Sequence, residues 1–332
     1  FGEGVAGTGT LSTATGNVGM GWVVLQDLTS GSENVVLGAA AGHEINSGNE
    51  NIIIGSSSGE SLVGVQEGHV AIGSHALGRM ATANEANHLT NDVKLANVAL
   101  GDYALSSLSG GGDSNIAIGT YAYGGKTSGD VRGSDNVIIG TRAGKNLTDA
   151  DQNIVMGKDA FSTASTTSKV VAIGHEALKS VNATGANETV AIGHSALTAL
   201  TSGGGNLAIG YTAGSTISTA SFNTYVGHES GVGDGTQHSR NTGFGYQTLK
   251  AATSGANNTA IGNQSLLAVT TGDNNIGIGS NAGAAITGAS QNVLIGKNAG
   301  VVTTSSNNVS IGYNSTLNIT TGDKNVAIGA FS

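Results

Sequence analysis

The 332-residue chain contains no cysteine and no proline, and only 11% of its residues are charged and 4% aromatic. Without cysteine no disulfide framework holds it, and thiols cannot report a redox compartment. A net charge of −9, spread thinly, gives no basic face for nucleic acid or an anionic membrane. The longest apolar runs are a handful of residues, too short to span a bilayer as a helix. An apolar fraction of 38%, regularly placed, is nevertheless too high for disorder. What is abundant is glycine, at 55 residues, so order has to come from small residues stacked in register.

One motif recurs eighteen times: Asn, an apolar residue, a small or apolar residue, an apolar residue, Gly, two variable positions and a small residue, as in NVVLGAAA, NVIIGTRA and NVAIGAFS. The pivotal glycines run from Gly21 to Gly329, most of them 17 residues apart. That period is too short for helical repeats and right for one turn of a β-solenoid. The whole chain, 1–332, therefore reads as a single repetitive all-β shaft of about 18 coils. At about 4.8 Å per coil it extends roughly 85 Å.

Residues 1–16 read as a partial or capping segment. Longer steps, from Gly73 to Gly101 and from Gly119 to Gly140, predict loop insertions near 83–94 and 124–133. Both ends cut through a repeat, which predicts a length of a longer fibre or a unit with end-to-end neighbours.

Counting from the glycine, the residues one and three before it are large or β-branched, a period-2 strand pattern that predicts those side chains inside the coil. The residue between them then faces outward. It is Ala71, Ala117 or Ala191 in some copies and Val36, Ile53 or Leu294 in others. A strand apolar on both faces is covered on both, so this reading calls for another chain against the outer face. Covering it is worth roughly 18 kcal/mol per chain at about 25 cal/mol/Å². Cyclic symmetry closes such an interface.

Three after the glycine every copy but the first has Ala, Ser or Thr, a corner that admits only small groups. Seven after it an apolar residue often returns, from Leu28 to Ile319, and predicts a second strand. Two short strands per ~17-residue coil make a flattened β-roll. Four before the glycine, asparagine recurs at Asn34, Asn51, Asn115, Asn136, Asn153, Asn275, Asn292 and Asn325 among others, a spacing that stacks amides from coil to coil.

The strands NVAIG and NIAIG with their small-residue corners, as in HVAIGSHAL, resemble the repeats of trimeric autotransporter adhesin heads. Copies such as NNTAIGNQSLLAVTTGDNNIGIG resemble those of phage tail fibres. The resemblance covers 17–332. It implies a left-handed parallel β-roll in a homotrimer whose apolar strands face the threefold axis. It also implies an extracellular place on a virion or a bacterial cell surface, and attachment to a host cell-surface glycan or protein receptor. The 17-residue period and TTGDNN turns are closer to the phage fibres; an adhesin head is the alternative.

Catalytic motifs fail their context. GSSSG at 55–59 matches a nucleophile elbow around Ser57, but equivalent coils read GAAAG and GTRAG, and no helix is predicted to come after it. GEGVAG at 2–7 is a dinucleotide fingerprint without its helix. No enzyme, cofactor or metal site is expected. The position after the glycine is more informative: His175, His194, Tyr211, His228 and Tyr246 put one ring per coil on one face. These are the candidate binding residues, and the neutral alternative is a covering over the small corner residues.

Overall fold

The computed structural model describes residues 13–62, 67–78, 96–108, 112–124, 131–182, 185–233, 238–316 and 322–332. The chain forms two compact units, Phe1–Lys169 and Val170–Ser332. Each is a parallel β-solenoid with a repeat of about 17 residues and no helix among the described residues. Accordingly no described helix is long and apolar enough to cross a membrane. Among the described residues the first unit has eight three-residue strands, β1 (Val18–Met20) to β8 (Ile154–Met156), and the second has ten, β9 (Val171–Ile173) to β18 (Val326–Ile328). Within each unit every described strand pairs in parallel with its equivalent in the next coil, so Val35, Val36 and Leu37 lie beside Ile52, Ile53 and Ile54.

The strand is three residues long because the pivotal glycine ends it. At Gly38 φ is +138°, and an added Cβ would lie 2.4 Å from the carbonyl oxygen of Gly55 in the next coil. Both the dihedral and the close backbone approach demand glycine. Beyond it the chain turns, with left-handed φ two and four residues after the glycine, as at Ala40 (54°) and Leu77 (49°).

Those dihedrals overturn the expected second strand. The returning segment carries coil-to-coil backbone hydrogen bonds, such as Glu44 N to Glu60 O at 2.9 Å, yet the left-handed residue four after the glycine leads it into turns and bends and not into the extended backbone a strand needs. One strand per coil is what forms. The apolar residues expected there, Ile45, Leu62 and Leu147 among them, are still buried. Met80, Ile319 and the 83–94 insertion lie outside the described residues, as do 125–130. Val131 is buried and bridges to Leu108.

The orientation of the strand is also the reverse of the expected one. The middle residue is the one inside: Val36, Ile53, Ala71, Ile138 and Leu294 are fully buried. Its flanking residues face out, with Ile52 41% and Ile261 40% exposed. Alanine at the middle position does not mark an approaching chain. It makes room for a large residue four after the glycine, which period alone does not reveal.

Ala71 goes with Leu77, Ala99 with Leu105, Ala117 with Tyr123 and Ala191 with Leu197, all buried. Val155 with Phe161, both buried, is an exception, but in the other coils with a large middle residue the later position is glycine: Ile53 with Gly59, Tyr225 with Gly231, Leu294 with Gly300. A Cβ on Gly59 would sit 2.7 Å from Ile53 Cδ1. Each of these coils thus holds one large side chain in a fixed volume, which is how close-packed interiors respond to size. A left-handed leucine costs about 1–2 kcal/mol, and its burial, worth about 1.5–3 kcal/mol, offsets that.

Ile53→Ala alone is therefore expected to destabilise the first unit by about 3 kcal/mol. Adding Gly59→Leu should restore most of the loss, because Leu77 and Leu105 already occupy that place at φ 49° and 50°. Urea midpoints of the single and double variants measure this; no recovery in the double would mean the two positions do not share one volume.

Candidate functional site

The asparagine four before each glycine enters the strand with its side chain turned into the coil. Asn34 donates from Nδ2 to the Gly48 carbonyl at 2.8 Å, and its Oδ1 accepts from the backbone and side-chain nitrogens of Asn51 at 3.0 and 2.9 Å. The same geometry links Asn115, Asn136 and Asn153 in the first unit and Asn258, Asn275 and Asn292 in the second. Asn325 donates to Asn308 at 3.0 Å. Where His69 replaces asparagine its Nδ1 accepts from Asn97 N at 3.1 Å. Thr189 takes the place in the second unit with a buried hydroxyl that has no partner. These amides are internal and saturated, so they build the scaffold and offer nothing to a ligand.

The residue directly after the glycine lies outside the coil. In the second unit the backbone sends one exposed ring per coil onto the same line: His175, His194, Tyr211, His228 and Tyr246. Successive ring centroids are 5.1, 5.3, 5.0 and 5.5 Å apart, with interplanar angles of 21–31°. The rings stack on one another, so the faces between them are covered and their edges are presented. Imidazole nitrogens and phenol hydroxyls then form a row of hydrogen-bonding groups at about the coil spacing.

Beside this row runs a polar one. Glu229 accepts from Lys250 Nζ at 2.6 Å and from Gln247 Nε2 at 2.7 Å. Gln264 continues to Gln247 at 3.0 Å, and Asn298 to Asn314 at 2.9 Å. The Lys250 bond, then the Gln247 bond, hold the Glu229 carboxyl below the usual carboxylate range.

A second stack was not foreseen. In the first unit His75, Tyr103 and Tyr121, two residues after their glycines, stack at 4.7 and 5.0 Å and are within 8° of parallel. A groove of about 350 Å³ beside it is lined by Glu60, Ser61, His75, Tyr103, Ser106 and Ser107. The signal was there, since SH, DY and TY come after three consecutive pivotal glycines. Strand-like alternation would have turned this position away from its neighbour, whereas left-handed φ keeps both at the surface.

The interior of the second unit holds a tyrosine–histidine pair. Tyr225, at the middle of its strand, meets His238 Nδ1 at 3.0 Å, and His238 Nε2 is buried without a partner. Burial pushes the Tyr225 phenol up and the His238 imidazole down, to about 4. Folded His238 is therefore neutral where the unfolded chain, titrating near 6.5, takes a proton. Its contribution is complete above pH 6.5 and falls as the pH drops towards 4, by about 3 kcal/mol in total. Comparing wild type with His238→Asn between pH 7 and 4 should show that slope only in the wild type; equal slopes would mean the imidazole is not what titrates.

Ser57 lies in a left-handed turn at φ 51°, and its neighbour Ser58 donates to the Ala71 and Ala76 carbonyls, each at 3.2 Å. That is a corner of the coil, without the strand-to-helix geometry of a nucleophile elbow. Among the described residues no group of three His, Cys, Asp or Glu is placed to hold a metal ion.

Each unit also has an outer sheet face. Its two columns, one and three residues before the glycines, carry no charged residue in any of the eighteen strands. No family model, no curated protein and no solved structure matches the chain.

Proposed function

We propose that the chain is a segment of an extracellular structural fibre, of the phage tail-fibre type, in which three copies pack their sheet faces around a common axis as left-handed β-rolls and carry a surface for attachment to a host cell. The observation that carries this reading is the uncharged outer sheet face. Soluble monomers rarely expose contiguous apolar patches larger than a few hundred Å². Covering a side chain left about two-fifths exposed contributes of order 1 kcal/mol. Of the twenty flanking residues in the ten strands of the second unit seventeen are apolar, and most of them are less than two-fifths exposed, so together they contribute roughly 10–15 kcal/mol per copy, against the 4–15 kcal/mol that association costs.

The natural cover is another copy, because only a surface with the same repeat keeps apolar residue against apolar residue along the face. The exposed ring stripe is the place for recognition, and its hydrogen-bonding edges suit the hydroxyls of a surface polysaccharide.

Light scattering should give three times the 32.5 kDa chain mass, and Ile118→Glu with Ile261→Glu should reduce it to the monomer. A monodisperse wild-type monomer would overturn the assembly. On an array of immobilised bacterial surface polysaccharides the wild type should bind, and Tyr211→Ala with His228→Ala should weaken binding by about tenfold. Unchanged binding would remove the stripe from the proposal, and no binding to any cell-envelope material would remove attachment.

A further inference from the structure

The outer face departs from its pattern at one place. In the second unit the first residue of the strand is Val, Ile or Leu in seven of ten strands, and threonine in the other three: Thr224, Thr242 and Thr259. These are consecutive, and strand pairing sets them side by side in one column. Their hydroxyls make no hydrogen bond to any described residue. Phe244, in the middle one of these strands, is the single aromatic residue in the neighbouring column, and at 56% is more exposed than Ile261 at 40%.

Elsewhere the face is degenerate. If copies pack face to face, sliding one by a single coil, about 4.8 Å, still lays apolar residues on apolar residues. Uniform repeats have this weakness, and in coiled coils one buried polar position cures it by fixing the register. The threonine block has that form. In register each hydroxyl meets its equivalents at the same level, where a hydroxyl both donates and accepts. One coil out, Thr224 meets Leu207 and Thr259 meets Ile276, so the end hydroxyls lose water and find no partner. Phe244 would also leave its own level for that of Val226 or Ile261.

We propose that Thr224, Thr242, Thr259 and Phe244 form a register key that fixes the axial alignment between copies of this chain. It rests on the assembly put forward above, and goes beyond it by saying what stops the copies slipping. Replacing all four by residues already found in those columns, Thr→Val three times and Phe244→Ile, should leave the fold and the oligomeric mass unchanged while the alignment becomes mixed.

The native chain has no cysteine, so single cysteines report alignment without background. Ile278→Cys and Ile295→Cys, one coil apart, are co-assembled as mass-distinguishable chains and oxidised, with Ile276→Cys and Val293→Cys as the same pair in the other column. In the native background disulfides should join like sites only. In the four-residue variant the unlike-site product should rise by about tenfold. Unlike-site product at equal yield in both backgrounds, or absent from both, overturns the key. Failure of either column to cross-link in a chain that sediments as an oligomer would move the interface off this face and overturn the key with it. A native chain that sediments as a monomer would instead remove the assembly on which it rests.

Discussion

Asn136→Ala should destabilise the first unit by about 4 kcal/mol, a loss at the upper end for a single substitution. The two Nδ2 protons of Asn136 are shared among the Ala150 carbonyl at 2.7 Å, the Tyr123 hydroxyl at 2.8 Å, Asn115 Oδ1 at 3.0 Å and the Ser134 carbonyl at 3.0 Å. Its Oδ1 accepts from the backbone and side-chain nitrogens of Asn153, both at 3.0 Å. Truncation removes these bonds at about 1 kcal/mol each and takes the acceptor from the buried backbone amide of Asn153.

Neighbouring rungs are coupled, since polar networks with every member satisfied rigidify a core and partly satisfied ones are costly. Hydrogen exchange should therefore accelerate at Ile116–Ile118 and Ile154–Met156 as well as at Val137–Ile139, the strand between them. Asn136→Asp sets a buried carboxylate against the Ala150 and Ser134 carbonyls that the amide now donates to, so it should lose at least as much as alanine. A loss below about 1 kcal/mol for the alanine variant would mean that the ladder is decorative.

That ladder was legible because its period is the coil period, and stacking equivalent residues follows from parallel, in-register pairing alone. The corner residues were legible for the same reason: only small side chains recur there, and Ala41, Ala143 and Ser265 are fully buried. The orientation of the strand was not. Alternation tells the two faces of a strand apart only when one of them is polar, and here both are apolar. The information that would have settled it lies outside the strand, in the exchange of size between Ala71 and Leu77 or Ile53 and Gly59.

The second strand failed because the chain, after left-handed leucines such as Leu105 and Leu197 at φ 50°, continues as turns and bends while keeping the composition of a strand. The rings were aligned by spacing, but spacing does not say whether they stack. At 5.0 Å between Tyr211 and His228 they do, which turns a row of flat platforms into a row of edges. The inverted strand strengthens the case for partner copies, since two columns of Ile, Val and Leu face outward instead of one column dominated by alanine.

Gly210→Ala should have the larger effect, about 5 kcal/mol or more, and should abolish folding of the second unit if that unit is only marginally stable. Two separate penalties act together. The φ of +137° is far from the left-handed well near +57° that an L-residue can enter. In addition the new Cβ would lie 2.4 Å from the Gly227 carbonyl oxygen and 2.6 Å from its carbon.

No side-chain rotation relieves a clash between a Cβ and backbone. The two coils must separate, which breaks the bond from Gly227 N to Ile209 O at 2.8 Å and opens the stack between Tyr211 and His228. Gly214→Ala in the same coil is the control: its φ is +59°, and the added Cβ meets the flexible Leu197 Cδ2 at 2.8 Å. That position is leucine in other coils, so the control should lose only about 1–2 kcal/mol. Denaturation of both variants, read at the strands from Val171–Ile173 to Val326–Ile328, distinguishes a pivot that needs glycine for its dihedral and its contact from a turn that merely tolerates it. Equal losses would mean that the approach of Gly227 is not what fixes the residue at 210.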